Sequence, residues 1–301
     1  MTRHRVSVVI PAKNRASEVA QAVNSVLSQQ DVEAEVIVVD DGSDDNTSEV
    51  VRAKFPAVKI LRNERSVGGA AARNQGAGLA TFTYLAFLDS DDEWMPSHLS
   101  DSIRVLEDRQ AEGVFSNFFL NDGEKMTEIV FDKVPAGYTV GESILSNYRF
   151  DVRTSTLVFR RTAFMAVQFD NALKKHQDWD LATRFDAAHR LVYKVGATVK
   201  INVDSDQRMS SKLNNEATFY FLEKNEKLIR APFRFNFCLK QLYRISRGQE
   251  DHEAEARYLA YMRRIVGQCG MKERLLLMML TSGVLNVRML HRVKQMMQKG
   301  R

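Results

Sequence analysis

Residues 84–94 contain the side chains with the clearest capacity for chemistry, because an apolar run there ends in a group of carboxylates. The run from Tyr84 to Leu88 has the length and composition of a strand buried on both faces. Asp89 and Asp91 follow it, two positions apart. Ligands of open parallel sheets bind at the carboxyl ends of the strands, so this pair can offer oxygens to one hard divalent cation. The alternative is a solvated acidic loop that caps the helix after Pro96, and neighbouring motifs must decide between the two.

Three strand–helix units precede this acidic stretch. Each opens with a short apolar run typical of a buried strand and continues through a loop into a helical pattern; the runs are residues 6–10, 36–39 and 58–61. Asp40 and Asp41 stand directly after the second run. The helix after the third run is rich in Gly and Ala, which would allow another group to approach its backbone closely. Such units predict a parallel sheet with right-handed crossovers.

The regular alternation ends after residue 120. We expect a hairpin turn at residues 121–123 and a helix that follows a capping box between Thr139 and Glu142. Another helix begins near Gln177. Further strands are expected at residues 114–120, 153–159 and 193–203.

The sequence pattern changes near residue 215, where long stretches with helical spacing of apolar residues begin. We expect a catalytic domain over residues 1–215, with a nucleotide-binding half to about 120 and an acceptor half after it, and a helical region over 216–301. Within this region, residues 271–301 are basic and place apolar side chains at helical spacing. Such a segment can rest on an anionic membrane surface. The alternative is that its apolar face packs on the catalytic domain or on another subunit.

Composition sets only broad limits. The chain has 301 residues, 44% of them hydrophobic, and a net charge of +5, which does not by itself indicate a nucleic-acid partner. Cys238 and Cys269 are too few for a disulfide framework and lack the spacing of a metal site, so we expect reduced, structural thiols. We find neither a signal peptide nor an apolar run of the roughly 18 residues that a membrane span requires. A cytoplasmic location is therefore expected.

Five motifs occur together and in a characteristic order: VSVVIPAKNR, VIVVDDGSDDNT, SVGGAAARNQG, FLDSDD and HQDWD. This set resembles the family 2 glycosyltransferases, and the matched motifs cover about residues 5–185. The resemblance implies an α/β GT-A fold, with a mostly parallel sheet flanked by helices, here followed by a C-terminal helical extension. It also implies inverting transfer of a sugar from a UDP- or dTDP-sugar, in the synthesis of bacterial exopolysaccharide, capsule, O-antigen or lipid-linked oligosaccharide.

The resemblance assigns the donor nucleotide to four segments. The loop after the first strand would wrap the nucleoside, and Asp40, supported by Asp41, would accept a hydrogen bond from a pyrimidine base. Arg73 would donate to the base or to a phosphate, with a surface salt bridge as the alternative for this side chain. The implied nucleotide-sugar contacts are Pro11, Ala12, Asn14, Arg15, Asp40, Asp41, Gly69, Arg73, Asp89 and Ser90.

The same resemblance implies the metal and the base. Asp91 would ligate Mn²⁺ or Mg²⁺, and Asp89 would contact the metal-bound water or the ribose. Asp178 matches the general base that removes the acceptor proton, although an Asp at this position can equally cap a helix. On the acceptor side Asp180 is the reserve base, and Trp179 would shelter the acceptor or fill the core.

Four features depart from the family pattern, and one of them is Ser66 at a position where Asn is frequent. Lys13 stands where an aromatic residue is common, and Gln177 replaces the commoner Glu before the base, which removes a charge that could raise the base's pKa. The segment SDQRMSSKLN resembles the closing loop of the family, with Arg208 and Ser211 in suitable places. It lacks the histidine often found there, so a side-chain metal ligand from this loop is in doubt.

Other functional classes fit less well. A nucleotidyltransferase normally has a glycine-rich loop after its first strand, and a dehydrogenase needs G-x-G-x-x-G after a strand; neither is present. The alternative from another class is a non-catalytic nucleotide-sugar-binding or scaffolding subunit of a polysaccharide assembly complex. We expect a lipid-linked or oligosaccharide acceptor and no nucleic-acid partner. Peripheral attachment to the inner face of the cytoplasmic membrane and homo-oligomer formation remain open.

Overall fold

The computed structural model of the chain describes residues 3–131, 134–146, 150–203, 214–247 and 251–284. The strands of this part of the chain are β1 (His4–Ala12), β2 (Val32–Asp40), β3 (Lys59–Arg62), β4 (Tyr84–Phe87), β5 (Glu93–Trp94), β6 (Gly113–Ser116), β7 (Phe118–Asn121), β8 (Met126–Ile129), β9 (Val158–Arg160), β10 (Leu191–Lys194) and β11 (Val199–Asn202). The helices are α1 (Val19–Leu27), α2 (Thr47–Lys54), α3 (Gly69–Leu79), α4 (His98–Asp108), α5 (Val140–Ser146), α6 (Arg161–Val167), α7 (Gln177–Ala188), α8 (Asn215–Lys224), α9 (Ala231–Arg247), α10 (His252–Ile265) and α11 (Met271–Thr281). Short 3-10 helices span Thr154–Thr156 and Val266–Gln268.

The larger sheet contains seven of the described strands, in the order β10-β6-β9-β4-β1-β2-β3. The three strand–helix units at the start of the chain form one half of it, and β1 pairs in parallel with both β2 and β4. Val8, Val9, Leu85 and Phe87 are fully buried, as expected for strands covered on both faces. The parallel register brings the carboxyl ends of β1, β2 and β4 to one edge of the sheet, where the loop after β1, the turn at Asp40 and Asp89 follow.

The expectation of regular strands after residue 113 was wrong in two places. The predicted strand at 114–120 is divided into β6 and β7, which belong to different sheets. Asn117 stands between them; it is buried, and its side-chain oxygen accepts hydrogen bonds from the Phe131 N–H and the Tyr193 hydroxyl. The predicted strand at 193–203 is likewise divided into β10 and β11, with Gly196 between them at a φ of 93°. A positive φ turns the chain out of the extended conformation, so one strand cannot continue there.

Two further expectations needed correction. Residues 153–159 form a 3-10 helix followed by the short β9, and β9 runs antiparallel to both of its neighbours. The helix expected to begin at Pro96 begins at His98. The hairpin prediction is confirmed, because β7 and β8 pair antiparallel. The capping box is also confirmed: the Glu142 N–H donates to Thr139 Oγ1 at 3.2 Å, and the Thr139 N–H donates to Glu142 Oε2 at 3.1 Å.

The smaller sheet holds four of the described strands, in the order β5-β11-β7-β8. β11 pairs antiparallel with β5, which directly follows residues 89–92, here called the acidic turn, and it pairs parallel with β7. Trp94 in β5 donates its indole N–H to the Ser155 carbonyl at 2.7 Å, which fastens this sheet to the 3-10 helix at Thr154–Thr156. The strand that follows the acidic turn is therefore anchored both by β11 and by the 3-10 helix.

The chain divides into two compact units. The first comprises residues 1–144 and 149–221 and contains both sheets; the second comprises residues 145–148 and 222–301. In the second unit α9 and α10 bury Phe235, Leu242, Tyr258 and Met262. The domain boundary near residue 215 stays a prediction. Among the described residues, no helix combines the length and the apolar character needed to cross a membrane.

Candidate active site

Asp40 ends β2 and lies completely inside the protein. Its Oδ1 accepts the Ser43 N–H at 2.9 Å, and its Oδ2 accepts the Ser48 hydroxyl and lies 3.4 Å from Arg62 Nη1. A carboxylate with two filled oxygens and no exposed surface stabilises the turn that it begins. Asp40 therefore stabilises the turn beside the predicted base pocket. To accept a hydrogen bond from a base, its carboxylate would first have to give up Ser43, Ser48 or Arg62.

Asp41 connects the turn after β2 to the start of α3. Its carboxylate accepts the Ser66 hydroxyl at 2.6 Å, the Val67 N–H at 2.7 Å and the Gly68 N–H at 2.9 Å, and it also accepts from the Asn63 amide at 3.1 Å. Burial alone would raise the pKa of Asp41, but these donors outweigh it and lower the pKa. Asp41 is thus an ionised anchor for the segment that precedes Gly69.

The loop after β1 lies against the turn after β2. The Asn14 N–H donates to Ser43 Oγ at 2.9 Å, and Asn14 Oδ1 accepts the Asp44 N–H at 2.8 Å. The Arg15 N–H donates to Thr47 Oγ1 at 3.0 Å. Because parallel pairing ends both strands at this edge, the two predicted nucleoside-binding segments form one continuous surface. Pro11 and Ala12 are the last residues of β1, and Ala12 is buried.

Arg73 lies on α3 and faces the acidic turn. Its side chain is only 11% exposed, and its Nη2 lies 2.5 Å from Asp89 Oδ1. Its Nη1 donates to Gln177 Oε1 at 2.9 Å. A Cβ at Gly69 would stand 3.1 Å from Nη1, so glycine at the start of α3 leaves room for the guanidinium. Arg73 is therefore a nearly buried link between Asp89 and α7 rather than a surface salt bridge.

Asp91 is the most accessible carboxylate of the acidic turn. Its side chain is 43% exposed, and Arg15 Nη2 lies 3.4 Å from its Oδ2. Partial burial and the neighbouring Asp89 raise the pKa of Asp91, while Arg15 opposes this shift. Ser90, between the two, is buried. A carboxyl group whose pKa is raised by a neighbouring carboxylate lies in an environment that a divalent cation would stabilise in the ionised form.

The donor set fits a metal that the substrate helps to hold. The described residues contain no group of three or more His, Cys, Asp or Glu side chains arranged to bind a metal. Mg²⁺ in phosphate-transfer sites commonly takes one or two protein carboxylates together with substrate phosphates and water. Asp91, with Asp89 beside it, matches that requirement.

Asp178 occupies the first turn of α7 and is half-buried. Its Oδ1 accepts the Trp179 N–H at 2.9 Å. Burial and the carboxylate of Asp151 raise the pKa of Asp178 to about 6, against the opposing charge of Arg153. The Asp89 carboxylate adds to the same shift, so Asp178 and the acidic turn share one electrostatic environment. A carboxylate with a pKa near neutrality has the property expected of a general base.

Asp180 has a different environment, although it lies on the same helix. It is fully buried, and Arg184 Nη2 stands 2.7 Å from its Oδ2. Arg184 also donates to the carbonyls of Val167 and Gln168, each within 2.8 Å. Asp180 therefore holds Arg184, which fastens α7 to the end of α6. The cap of α7 is His176, which has a φ of 62°, so Asp178 is not the N-cap residue that the alternative interpretation required.

The model of the family described as "Glycosyl transferase family 2" matches residues 7–177 of the chain. This chain belongs to glycosyl transferase family 2. The matched range begins in β1 and ends at Gln177, so it includes the acidic turn and stops directly before Asp178.

Two curated relatives show the kind of protein to which the chain is similar. It is 32% identical over 191 residues to the amylovoran biosynthesis glycosyltransferase AmsB of Erwinia amylovora. The aligned region covers 60% of this chain and 63% of AmsB. It is 30% identical over 165 residues to WfaP of Escherichia coli, a UDP-Glc:α-D-GlcNAc-diphosphoundecaprenol β-1,3-glucosyltransferase. That alignment covers 54% of this chain and 64% of WfaP. These matches span less than two thirds of either relative. The chain is thus related to bacterial exopolysaccharide and O-antigen glycosyltransferases.

Solved structures confirm the GT-A fold. TarS 1–349 of S. aureus, in complex with UDP-GlcNAc, aligns with a TM-score of 0.69 at 18% identity, over 99% of this chain and 92% of TarS. The mannosyltransferase PcManGT of Pyrobaculum calidifontis, in complex with GDP-Man and Mn²⁺, aligns with a TM-score of 0.54 at 16% identity, over 96% of this chain and 83% of PcManGT.

The sequence did not indicate that residues 151–155 belong to the candidate site of this chain. Asp151 Oδ1 accepts the indole N–H of Trp179 at 2.7 Å, and Asp151 Oδ2 lies 2.8 Å from Arg153 Nε. Ser155 donates its hydroxyl to Asp92 Oδ2 at 2.6 Å. The polar run within an expected strand was the only signal, since an ordinary strand buried in the sheet would not carry these side chains. Arg208 and Ser211 lie outside the residues that the structure describes.

Proposed function

We propose that the chain transfers a sugar from a UDP-sugar, or less favourably a dTDP-sugar, to an acceptor hydroxyl, with inversion at the anomeric carbon and with Asp178 as general base. The observation that carries this proposal is the state of Asp178. Its pKa is raised to about 6, and its charge interacts with Asp89 at the predicted donor edge. A group that accepts a proton near neutral pH beside a nucleotide pocket is useful for catalysis and is a liability for stability.

The donor proposal rests on the edge of the larger sheet. The loop after β1 and the turn after β2 would hold the nucleoside, and Arg73 and Gly69 would lie toward the diphosphate. UDP is favoured because TarS binds UDP-GlcNAc on the same fold and WfaP uses UDP-Glc. The same comparisons support a hexosyl or N-acetylhexosaminyl donor.

In the proposed reaction the acceptor hydroxyl attacks the anomeric carbon as Asp178 takes its proton. A new bond forms between the acceptor oxygen and that carbon, and the bond from the carbon to the diphosphate oxygen breaks, releasing the nucleoside diphosphate with its electron pair. Attack from the side opposite the leaving group inverts the centre, so an α-linked donor yields a β-linkage. Negative charge grows on the diphosphate, and Arg73 would counter it.

A divalent cation is proposed to assist this step. Asp91, with Asp89, would hold Mn²⁺ or Mg²⁺, and PcManGT contains Mn²⁺ on a related fold. When bound, the ion supplies electrostatic stabilisation of the leaving diphosphate. The raised pKa of Asp91 implies that its affinity for a cation falls as the pH decreases, because a protonated carboxyl is a poor ligand.

For the acceptor we propose a lipid-linked oligosaccharide of a bacterial surface polysaccharide. WfaP acts on GlcNAc-diphosphoundecaprenol, and AmsB serves amylovoran biosynthesis. Trp179 is half-buried beside Asp178 and stacks on His176 with ring centroids 4.6 Å apart. This indole is proposed to line the acceptor pocket, since aromatic faces suit the apolar faces of sugars.

A membrane-bound acceptor would be easier to reach from a membrane surface. On α11, Met271, Leu275 and Met278 are 71%, 49% and 59% exposed, and their spacing places them along one face. Lys272 and Arg274 add positive charge to the same helix. We propose that this face, with the basic segment after it, contacts anionic lipid.

The test is Asp178→Asn, with Asp108→Asn as its matched control. Asp108 is exposed at the end of α4 and belongs to none of the five site motifs. Asn at 178 keeps the shape but cannot accept the proton, so transfer should fall by at least about a hundredfold. Affinity for the UDP-sugar, measured by calorimetry, should stay within about twofold. A loss of donor affinity in Asp178→Asn, or full activity in that variant, would contradict the proposed role; donor binding without turnover in the native protein would favour a scaffolding subunit.

A further inference from the structure

Residues 151–155 contact both halves of the candidate site within five positions. At one end Asp151 accepts the Trp179 indole N–H at 2.7 Å, on the helix that carries Asp178. At the other end the Ser155 hydroxyl donates to Asp92 Oδ2 at 2.6 Å and accepts the Asp89 N–H at 3.1 Å. The segment therefore joins the acidic turn to the first turn of α7.

Asp151 uses each of its carboxylate oxygens for a different partner. Oδ1 serves the indole of Trp179, and Oδ2 pairs with Arg153 Nε at 2.8 Å. Its side chain is 18% exposed, so these contacts are largely shielded from water. Trp179 directly follows Asp178, and its backbone N–H donates to Asp178 Oδ1 at 2.9 Å. Fixing the indole therefore fixes the backbone from which Asp178 extends.

This arrangement also brings the Asp151 carboxylate close enough to Asp178 to disfavour its ionisation. The charged groups that face Asp178 are Asp151 and Arg153 from the segment before the 3-10 helix and Asp89 from the acidic turn. An amide at position 151 could accept the same indole hydrogen bond without the repulsion. The negative charge is thus additional to the structural task.

We propose that Asp151 is a positioning residue of the transfer reaction, which holds Trp179 and the first turn of α7 so that Asp178 faces the acceptor hydroxyl. This inference rests on the proposed function, because it assigns a task relative to that base. Arg153 holds the Asp151 carboxylate through an ion pair. Ser155 fixes the segment to the acidic turn through Asp92 and Asp89. Asp151 itself does not touch the reacting atoms in this assignment.

The indole contact and the charge can be separated by three variants. Asp151→Ala removes both, Asp151→Asn keeps an acceptor for the indole and removes the charge, and Trp179→Phe removes the hydrogen bond and keeps the charge. Steady-state kcat should fall on the order of tenfold to a hundredfold in Asp151→Ala and Trp179→Phe, because a misplaced base loses alignment with its proton. Asp151→Asn should retain most of the native kcat, because its amide oxygen still accepts the indole N–H.

The charge should be seen in the pH profile. Asp151 disfavours ionisation of Asp178 and Arg153 favours it, so Asp151→Asn should move the acid limb of kcat to lower pH. Arg153→Met should move the limb to higher pH for the same reason. Trp179→Phe should lower kcat without a shift to lower pH.

A readout independent of turnover uses tryptophan emission. The chain has two tryptophans, and Trp94 is only 5% exposed, so acrylamide quenching reports chiefly on the half-buried Trp179 while Trp94 and its bond to the Ser155 carbonyl stay in place. Asp151→Ala should increase this quenching, and Asp151→Asn should not. UDP-sugar affinity should stay within about twofold in all position-151 variants, with Asp108→Asn as the surface control.

These results distinguish the inference from the proposed function. If the native protein transfers sugar and Asp178→Asn abolishes transfer, but Asp151→Ala matches the native kcat, only the positioning role is overturned. Equal losses in Asp151→Ala and Asp151→Asn, with weakened donor binding, would also overturn it and indicate a general structural role. An inactive native protein would instead contradict the proposed function.

Discussion

Asp178 makes a measurable prediction at the scale of a single residue. A general base must be ionised, and burial together with Asp151 raises the pKa of Asp178 from 3.8 to about 6. With donor and acceptor saturating, kcat should be level above about pH 7 and fall about tenfold per pH unit below about pH 6. A base with an ordinary carboxylate pKa would keep full activity to about pH 5.

The measurement is kcat between pH 4.5 and 8.5, with donor saturation checked at each pH. This check matters because the raised pKa of Asp91 predicts weaker binding of metal and donor in acid. A profile that is level down to pH 5 would contradict the environment assigned to Asp178. A limb that follows donor affinity rather than kcat would assign the titration to the acidic turn.

At this scale the sequence predicted which residues gather but not how they are used. Motif order and parallel strand ends brought Asp89, Asp91 and Arg73 to one edge, because β1, β2 and β4 end there. Asp151 could not be predicted, since its partner Trp179 is 28 positions away and no local pattern connects them. The burial of Asp40 was also beyond the sequence, because its partners depend on how the turn after β2 closes.

At the scale of elements, the small-residue helix α3 shows why packing matters for the site. The sequence indicated a close approach without identifying the partner. In the structure, a methyl group on Gly76 would overlap Cγ1 of Val9 and stand 3.1 Å from Cγ2 of Val39. The helix therefore lies directly on β1 and β2, which brings Arg73 over the strand ends.

Gly76→Ala should thus destabilise the protein by about 1–3 kcal/mol, through overpacking. Gly78→Ala is the matched control on the same helix, since a Cβ there meets nothing within 4 Å. That change should stabilise the protein by up to about 1 kcal/mol, through helix propensity. Urea midpoints of the two variants, compared at equal slope, measure the difference. Similar midpoints would show that α3 does not pack this closely.

The strands that the sequence misassigned have a common physical cause. Residues 114–120 and 193–203 are apolar enough to be read as single strands, yet each chain segment passes from one sheet to the other. The deciding features are the buried side chain of Asn117 and the positive φ of Gly196. Periodicity reports burial but not which sheet a residue joins, so these breaks could not be located from it.

For the whole molecule, donor identity can be tested through stability. A ligand that binds only the native state raises the unfolding midpoint, and at equal concentration a tighter ligand raises it more. Among UDP-, GDP- and dTDP-sugars, each with and without Mn²⁺, we expect a UDP-sugar to raise the midpoint most, and more with the metal. Asp91→Asn should reduce the metal-dependent part and retain the fold. Stabilisation by GDP-sugars, or equal stabilisation without metal, would contradict the donor or the metal assignment respectively.

The exposed face of α11 extends the argument to the surroundings of the protein. Met271, Leu275 and Met278 line one side of this helix, and apolar side chains in such a row suit the boundary between lipid head groups and acyl chains. Replacing Leu275 and Met278 together by Ser should lower co-sedimentation with vesicles that contain phosphatidylglycerol, and should leave donor hydrolysis by water unchanged. Val195→Ser is the matched control, because Val195 is 67% exposed in the other unit.

Weak native binding to vesicles of neutral lipid, and loss of binding at high salt, would support the contribution of the basic residues. If the double variant binds as the native protein does, the lipid assignment is wrong. If the native protein sediments as a dimer and the double variant as a monomer, the face belongs to a contact between two copies of the chain.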